Sequence, residues 1–315
     1  MKDKPLVSII LQTYNRIDFL RKSLESAVNQ TYDNIEIILG DNHSEDGTEE
    51  FCLEQAAKDS RIRYFRHSEN IGMTANANFL CDRVNGEYTI FLNDDDWLDI
   101  DYVEKCVEFF DGKPEYSLVT PSTILYPSNY IDYSKKIGKK CVVLKLDCRS
   151  VYKRLKTYLR NQDISEMATG CFRTSVLKDI KNTEGQYIID RYNEDIIFYM
   201  KFLTAGKCKV LTNTHLNKRN GGFSKDLKTS DSVYTTAGIT NRNLPRRRCQ
   251  IFSEAIITDK YFKTLLSEKD LNKLYKRLRN SLEWFYCQGK FINVRYLHYL
   301  NGTLHLLYHY RFYKL

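Results

Sequence analysis

The stretch Val7–Leu11, Val-Ser-Ile-Ile-Leu, is a continuous apolar run near the start of the chain. Such a run is typical of a strand buried on both faces of a parallel sheet. Ile35–Leu39 has the same character, and shorter strand patterns occur at 61–65 and 88–92, with helical patterns between them. Strands that alternate with helices at this spacing predict an open, largely parallel α/β sheet. Ligands of such sheets bind beyond the carboxyl ends of the strands.

The pattern changes along the rest of the chain. The sequence predicts a helix over 101–110, a strand near 117–120, a polar irregular loop over 121–143, a helix over 194–205 and a short strand over 209–211. The long loop is of the kind that covers a site. Only helical patterns remain after about residue 225. We therefore predict an α/β domain over residues 1–225 and a helical region over 226–315.

The composition is that of an ordinary globular protein. Of the 315 residues, 42% are hydrophobic and 28% are charged, with few Gly and Pro, which excludes a disordered or fibrous chain. No stretch reaches 18 uninterrupted apolar residues, no apolar signal-peptide segment opens the chain, and the nine Cys are irregularly spaced. We therefore expect a cytoplasmic protein with reduced cysteines.

The last third of the chain is basic and rich in Tyr. The formal net charge is +8, and Arg246–Arg248 form a basic run. This run indicates either an anionic partner or a solvated basic face. Leu residues at helical spacing over 297–307 favour a helix that packs in a core or between two copies of the chain, and contact with a membrane surface is the alternative. Because no reading motif is recognisable, we expect no nucleic-acid partner.

Three consecutive carboxylates, Asp94–Asp96, follow the strand pattern at 88–92. Neighbouring carboxylates repel one another, so holding them together in a cleft is costly unless a cation compensates. Their oxygens suit Mg²⁺ or Mn²⁺, particularly when the phosphates of a substrate supply further ligands. A solvated acidic turn that caps the next helix is the alternative. The residues alone leave both interpretations open.

Several motifs, in a fixed order, resemble those of family 2 glycosyltransferases, which have the nucleotide-sugar-binding GT-A fold. The resemblance is strong over about the first 110 residues and continues more faintly to about residue 225. It implies a GT-A-type, Rossmann-like, mostly parallel sheet with a helical C-terminal extension. The motifs are 7–16 (VSIILQTYNR), 26–32 (SAVNQTY), 35–42 (IEIILGDN), 44–48 (SEDGT), 70–72 (NIG) and 94–98 (DDDWL).

The resemblance implies five donor-binding residues. Thr13 and Tyr14 would line the pocket for the nucleotide base, and Asp41 would hydrogen-bond the base, usually uracil. An Asx turn is the alternative for Asp41. Asp94 would contribute to the donor site, and Arg219 would open a flexible basic loop that closes over the diphosphate. The Arg219 guanidinium offers two parallel donors to phosphate oxygens, and a plain solvent-exposed turn is the alternative.

The resemblance also implies that Asp94, Asp95 and Asp96 hold the metal. Asn93 stands where the first Asp of the family's Asp-x-Asp motif is common. Ligation therefore falls to the three residues that follow, with Asp95 and Asp96 as first choices.

Residues 193–206 resemble the family's Glu-Asp motif at the start of a helix. An acceptor hydroxyl must lose its proton as it attacks the anomeric carbon, and a carboxylate within hydrogen-bond reach can accept that proton. The resemblance implies that Asp195 is this base and that Glu194 holds the acceptor or orients the base. The alternative is structural, because acidic residues are favoured in the first turn of any helix.

Together these motifs imply transfer of a sugar from a nucleoside diphosphate donor, a UDP-sugar, to a hydroxyl acceptor. The acceptor would be a glycan or a lipid-linked glycan, the transfer would invert the anomeric centre, and Mn²⁺ or Mg²⁺ would be the cofactor. One alternative is a sugar-phosphate nucleotidyltransferase, which is expected to need a Gly-rich basic loop that residues 12–16 lack. The other is a non-catalytic scaffold of the same fold.

Overall fold

The computed structural model describes residues 4–126, 139–140, 146–160, 170–181, 187, 194–219, 266–270 and 272–273. The chain divides into two compact units, Met1–Leu227 and Lys228–Leu315. Almost all of the described residues belong to the first unit. The helical region predicted over 226–315 lies outside the described residues, apart from 266–270 and 272–273, and stays a prediction.

The described residues form strands and helices in alternation. The strands are β1 (Val7–Thr13), β2 (Ile35–Asp41), β3 (Ile62–Arg66), β4 (Tyr88–Asn93), β5 (Trp97–Leu98), β6 (Tyr116–Tyr126), β7 (Lys139–Lys140), β8 (Cys171–Arg173) and β9 (Lys207–Arg219). The helices are α1 (Ile17–Val28), α2 (Thr48–Lys58), α3 (Met73–Cys81), α4 (Tyr102–Phe110), α5 (Val151–Arg160), α6 (Thr174–Asp179) and α7 (Glu194–Ala205).

All nine strands belong to one mixed sheet with the order β3-β2-β1-β4-β8-β6-β9-β5, and β7 pairs with β6. The first four strands of this order are mutually parallel. Strand β8 is antiparallel to both of its neighbours, so β6 again runs in the direction of β4. The predicted α/β class with a mostly parallel sheet is confirmed.

Helices cover both faces of the sheet. On one face, Leu11 of β1 packs in the same apolar cluster as Leu24 of α1. On the other face, α3 approaches β2 closely at Gly40. A Cβ at Gly40 would lie 2.5 Å from Asn76 Oδ1 and 2.8 Å from the Leu80 side chain, so only glycine permits this approach. This close contact brings α3 against the carboxyl half of β2.

An aromatic cluster sets the direction of α7 relative to β4. The rings of Phe202 and Phe172 stack 4.7 Å apart, and Phe172 pairs with Thr89 near the start of β4. One turn earlier in the helix, the ring of Phe198 lies 5.6 Å from that of Phe91, two residues further along β4. Helix α7 therefore runs antiparallel to β4, and its N-terminus points toward the carboxyl edge of the sheet.

Two strands are longer than the sequence predicts. Strand β6 extends through Tyr126, into the segment predicted as an irregular loop, and β9 spans 13 residues where a three-residue strand was expected. Residues 127–138 and 141–143 of that predicted loop lie outside the described residues. Among the helices that the structure describes, none has the length and apolar character needed to cross a membrane.

Candidate active site

The carboxyl ends of the central parallel strands lie side by side. Thr13 at the end of β1 pairs with Asp41 at the end of β2, and Gln12 pairs with Asn93 at the end of β4. Asp94–Asp96 follow at once as the turn that leads into β5. This is the edge at which open α/β sheets bind their ligands. The fold thus brings the ends of three strands and the acidic turn to one place.

Asp94 and Asp95 are buried and share one cationic partner. They are 6% and 9% exposed, and the two ends of the Arg16 guanidinium reach them separately. Arg16 Nη1 donates to Asp94 Oδ1 and Nη2 donates to Asp95 Oδ2, both at 2.9 Å. The second oxygen of Asp94 accepts a hydrogen bond from the Thr13 hydroxyl at 2.9 Å. Thr13 therefore supports the acidic turn rather than pointing freely into a base pocket.

Asp96 has different partners. Its Oδ2 accepts a hydrogen bond from Asn93 Nδ2 at 2.9 Å, and its Oδ1 accepts one from the backbone N–H of Arg219 at 3.2 Å. Arg219 is the last residue of β9 and is only 5% exposed, with its guanidinium 4.3 Å from the ring centre of Phe19. This differs from the exposed basic loop expected to begin at Arg219, because pairing with Tyr126 of β6 extends the strand to this residue.

Burial makes the ionised forms of Asp94 and Asp96 costly. Burial raises the pKa of Asp94 to about 7; Arg16 opposes this shift and the neighbouring Asp95 adds to it. Burial, followed by the charge of Asp95, likewise raises the pKa of Asp96 to about 7. Carboxylates whose ionised form is this costly gain from any further cation that reaches them.

The donor set fits a hard divalent ion only in part as it stands. Within the described ranges, no group of three or more His, Cys, Asp or Glu residues is arranged to hold a metal ion. The reason is visible in the contacts, since Asp94 and Asp95 face Arg16 whereas Asp96 faces Asn93 and the end of β9. Mg²⁺ and Mn²⁺ commonly take one or two carboxylates and complete their shell with water and substrate phosphates. One or two of the three aspartates fit such an ion.

Asp41 has no exposed surface, and both of its oxygens have protein partners. Oδ1 accepts a hydrogen bond from the backbone N–H of Ser44 at 2.9 Å, which closes a turn of the kind considered as the alternative for this residue. Oδ2 accepts one from the Tyr64 hydroxyl at 2.8 Å, and Arg66 Nε lies 3.6 Å away. The carboxylate lies beside the end of β1 but is turned into the protein.

Two further features lie at this edge of the sheet: Tyr14, and the segment before α3, which is held by hydrogen bonds. Tyr14 is 37% exposed and precedes Asn15, whose φ of 51° turns the chain sharply before α1. Asn42 Nδ2 donates to Asn70 Oδ1 at 2.6 Å, and Asn42 Oδ1 accepts from the backbone N–H of Ile71 at 2.9 Å. These bonds hold the segment before α3 against the end of β2.

Glu194 and Asp195 are the first two residues of α7, and their side chains lie outside what the structure describes. The backbone still locates them. Phe198 contacts Phe91, and one helical turn of about 5.4 Å toward the N-terminus nearly matches two strand residues of about 6.6 Å. The first turn of α7 therefore lies at the level of Asn93, on the same face of the sheet as the Phe91 ring.

The sequence analysis assigned no role to Arg16, although its motif was recognised. The available signal was a lone arginine in the turn after β1, at the same sheet edge as three consecutive aspartates. Which carboxylates it contacts depends on the β1–β4 register, which joins residues about 80 positions apart. No local pattern contains that information.

A mostly parallel sheet with helices on both faces and a buried acidic turn at its carboxyl edge is typical of GT-A-type proteins. The chain belongs to this class at the level of sequence as well: the model of the family Glycosyl transferase family 2 matches residues 8–179, more than half of the chain. The chain is therefore a member of glycosyl transferase family 2.

Curated relatives match part of the chain. Glycosyltransferase GlyA of Streptococcus pneumoniae is 39% identical over 107 residues, which is 33% of this chain and 15% of that protein. GalNAc(5)-diNAcBac-PP-undecaprenol beta-1,3-glucosyltransferase of Campylobacter jejuni is 37% identical over 95 residues, 30% of this chain and 31% of that protein. The chain spans less than a third of the length of either relative.

Solved structures extend the likeness of fold. S. aureus TarS 1–349 in complex with UDP has a TM-score of 0.54 at 16% identity, covering 91% of this chain and 92% of that one. The mannosyltransferase PcManGT from Pyrobaculum calidifontis, in complex with GDP-Man and Mn²⁺, has a TM-score of 0.53 at 15% identity, covering 99% and 84%. At such identities the likeness establishes the fold alone.

Proposed function

We propose that this chain is a glycosyltransferase that moves a sugar from a nucleoside diphosphate donor, a UDP-sugar, to a hydroxyl of a glycan or lipid-linked glycan. The transfer inverts the anomeric centre and depends on Mn²⁺ or Mg²⁺. Family membership supports the class of reaction. One C. jejuni relative is named for an undecaprenol-linked acceptor, which supports the class of acceptor.

One observation carries the proposal: the buried Asp94–Asp96 turn lies at the carboxyl edge of the sheet, at the level where α7 begins with Glu194 and Asp195. The site would then have carboxylates with two separate tasks. Those of the turn serve the diphosphate end of the donor, and that of Asp195 serves the acceptor.

The acceptor step needs a base and a leaving group. Asp195 takes the proton of the acceptor hydroxyl, and the oxygen attacks the anomeric carbon from the face opposite the diphosphate. The bond from that carbon to the diphosphate oxygen breaks, and UDP leaves with the electron pair. Glu194 holds the acceptor or orients Asp195. Asp94–Asp96 would hold a divalent ion, which would supply positive charge to the departing diphosphate.

The donor lies along the carboxyl edge. Tyr14 packs against the base, and Asp41 bonds to the base when the Tyr64 hydroxyl gives up its hydrogen bond. Thr13 keeps Asp94 in place, as its 2.9 Å hydrogen bond indicates. The guanidinium of Arg219, whose backbone N–H donates to Asp96, pairs with the diphosphate.

The direct test is a screen of UDP- and GDP-sugars for donor hydrolysis and transfer, with Mn²⁺ present or replaced by EDTA. Turnover of a UDP-sugar only with the ion supports the proposal, and turnover of GDP-sugars alone contradicts the choice of base. Pyrophosphate release from a nucleoside triphosphate and a sugar phosphate would indicate a nucleotidyltransferase. Absence of any metal-dependent nucleotide binding in calorimetry would indicate a scaffold.

The basic aromatic C-terminal segment suits contact with the membrane that carries a lipid-linked acceptor, or with a second copy of the chain. Sedimentation with anionic and with neutral vesicles tests the first, and light scattering tests the second. Binding to anionic vesicles that is lost at high salt supports membrane contact.

A further inference from the structure

The ion pairs between Arg16 and the acidic turn differ from ordinary surface ion pairs. The two terminal nitrogens of Arg16 reach two different carboxylates, of Asp94 and Asp95, each at 2.9 Å. The side chain of Arg16 is 15% exposed, and those of its partners are 8% and 10% exposed. A guanidinium shared between two buried, adjacent carboxylates supplies the positive charge that stabilises them side by side.

The oxygens that Arg16 holds are ones that a divalent ion would use. Asp94 Oδ1 and Asp95 Oδ2 accept from Arg16, and Asp94 Oδ2 accepts from Thr13. A guanidinium and a divalent cation on the same oxygens repel each other at short range, in surroundings that screen charge poorly. The two cations cannot both bind these carboxylates in full.

The side chain of Arg16 can change partners while its backbone stays in place. Arg16 is the N-cap residue of α1, and its carbonyl accepts hydrogen bonds from the backbone N–H groups of Phe19 and Leu20 at 3.1 and 3.0 Å. Its guanidinium lies 5.0 Å from the ring centre of Phe19, at the border of the site. The flexible side chain can therefore exchange partners without a change in the helix.

We infer that Arg16 is a built-in counter-ion that competes with the divalent ion for Asp94 and Asp95. Arg16 neutralises the turn before the ion arrives, and it leaves these carboxylates when the ion and the nucleotide bind together. This inference rests on the proposed function, since it takes the turn to be the metal site.

A second consequence follows from where the released charge goes. The diphosphate of the donor brings negative charge to the same edge, and the freed guanidinium can pair with it bidentately. Removal of Arg16 from the carboxylates is then favoured by the nucleotide. Ion and nucleotide should therefore bind with positive coupling, each increasing the affinity of the other.

The test compares Mn²⁺ binding by the wild-type chain, Arg16→Gln and Arg21→Gln, each with and without UDP. Free Mn²⁺ is measured by electron paramagnetic resonance, and the rise in thermal unfolding midpoint with Mn²⁺ is measured in parallel. Arg21 is the matched control, because it is an exposed arginine of α1 whose guanidinium lies over Phe51, away from the aspartates. Neither readout requires activity.

Without UDP, Arg16→Gln should bind Mn²⁺ about ten-fold more tightly than the wild-type chain, since two charge-assisted hydrogen bonds no longer compete. Mn²⁺ should also raise its unfolding midpoint more, and UDP should increase its Mn²⁺ affinity less. Arg21→Gln should match the wild-type chain. If Arg16→Gln does not fold without the ion, Arg16→Lys, which keeps one charge but not the guanidinium, should show intermediate affinity.

The outcomes separate the two hypotheses. Equal or weaker Mn²⁺ binding by the Arg16 variants, with clear binding by the wild-type chain, would overturn the counter-ion role and leave the proposed function intact. Absence of Mn²⁺ binding by the wild-type chain even with UDP would overturn the metal-dependent function, and the inference with it.

Discussion

The carboxylate of Asp195 is the group on which the proposed transfer depends most directly. Asp195→Asn keeps the size of the side chain but removes its ability to accept the acceptor proton. We expect the transfer rate to fall by at least about 100-fold, the lower limit for loss of a general base. UDP affinity and the thermal unfolding midpoint should not change. Initial rates at saturating donor measure the transfer rate, calorimetry measures UDP affinity, and thermal denaturation measures the unfolding midpoint.

Asp179→Asn provides the control for this variant, because it makes the same chemical change at an exposed carboxylate near the end of α6. That variant should retain full activity. If Asp195→Asn also retained it, another group would be the base, and the first turn of α7 would have only the helix-dipole role considered for it.

The Tyr64 hydroxyl decides whether Asp41 can reach a nucleotide base. Burial, and then the hydrogen bond to Asp41, raises the pKa of Tyr64, so the hydroxyl remains a donor at any physiological pH. In Tyr64→Phe the Asp41 Oδ2 loses this donor, and UDP no longer has to displace it. We expect UDP to bind up to about ten-fold more tightly, and the folded state to lose roughly 1.5–3 kcal/mol. Calorimetry and denaturant unfolding measure these changes.

Tyr32→Phe is the matched control, since the Tyr32 hydroxyl donates to the Pro5 carbonyl at 2.7 Å, outside the site. It should lower stability without affecting UDP binding. Unchanged UDP affinity in Tyr64→Phe would mean that Asp41 keeps its partners and serves the turn to Ser44 alone.

At this scale the sequence predicted residue types better than it predicted contacts. Three aspartates after a buried strand are visible in any sequence, and so is the choice at Asp41 between turn and base. The structure gives Asp41 two internal partners, one of them from Tyr64, a strand away. The contact of Arg16 with Asp94 was not predictable, because it joins residues 78 positions apart and depends on the strand register.

The carboxylate of Asp46 accepts hydrogen bonds from the first residues of two helices at the site. Asp46 Oδ2 accepts a hydrogen bond from the backbone N–H of Ile17, the first residue of α1, at 2.9 Å. Asp46 Oδ1 accepts bonds from the backbone N–H and the hydroxyl of Thr48, the first residue of α2, at 3.2 and 2.6 Å. Although partial burial opposes it, these bonds lower the pKa of Asp46. The turn after β1 and the turn after β2 are thereby tied together.

Asp46→Ala should therefore uncap both helices. A lost cap costs about 1 kcal/mol, so we expect a loss of about 2 kcal/mol in the free energy of unfolding. Urea denaturation measures this loss. Glu45→Ala, at the exposed neighbouring position, should have little effect. Equal losses in the two variants would contradict the double cap. Asp46→Asn should recover part of the stability, because its side-chain oxygen still accepts a hydrogen bond.

The lengths of β6 and β9 show what limits prediction of elements. The buried faces of these strands include polar residues, among them Thr123, Thr214 and Asn217, so neither strand has a clear apolar alternation. Their polar groups find partners far along the chain: the Tyr126 hydroxyl donates to Asn217 Oδ1 at 3.1 Å, and the Thr214 hydroxyl donates to Asp101 Oδ1 at 2.9 Å. Pairing between two distant segments, rather than local pattern, therefore creates most of both strands.

For the whole molecule, the order of strands and helices over the first 110 residues followed from periodicity, because the two central strands β1 and β2 are buried on both faces. The parallel class and the location of the site at the carboxyl edge followed with it. The positions of β8, β6 and β9 did not, since antiparallel insertion of a three-residue strand leaves almost no local signal. The division near residue 225 stays a prediction.

At the amino edge of the sheet, the buried carboxylate of Glu36 should influence how the whole fold responds to acid. Glu36 of β2 is 8% exposed and accepts hydrogen bonds from Ser8 of β1 at 2.6 Å, from Arg63 of β3 at 2.7 Å, and from the backbone and side chain of Asn85 at 2.7 and 3.0 Å. Burial would raise the pKa of Glu36, but these bonds together hold it below its ordinary value of 4.5. One carboxylate thus joins three parallel strands and the turn that precedes β4.

A carboxylate with a lowered pKa binds its proton less readily in the folded state than in the unfolded chain, so its stabilisation is present above pH 4.5 and is lost as the pH falls toward the folded pKa. We expect the free energy of unfolding, measured with urea at a series of pH values, to decrease over that interval. Glu36→Gln should be less stable at neutral pH and should show a flatter decline below pH 4.5, because it carries no titrating group. Glu25→Gln, at an exposed position of α1, should keep the wild-type profile. Parallel profiles for Glu36→Gln and the wild-type chain would show that acid acts through other carboxylates.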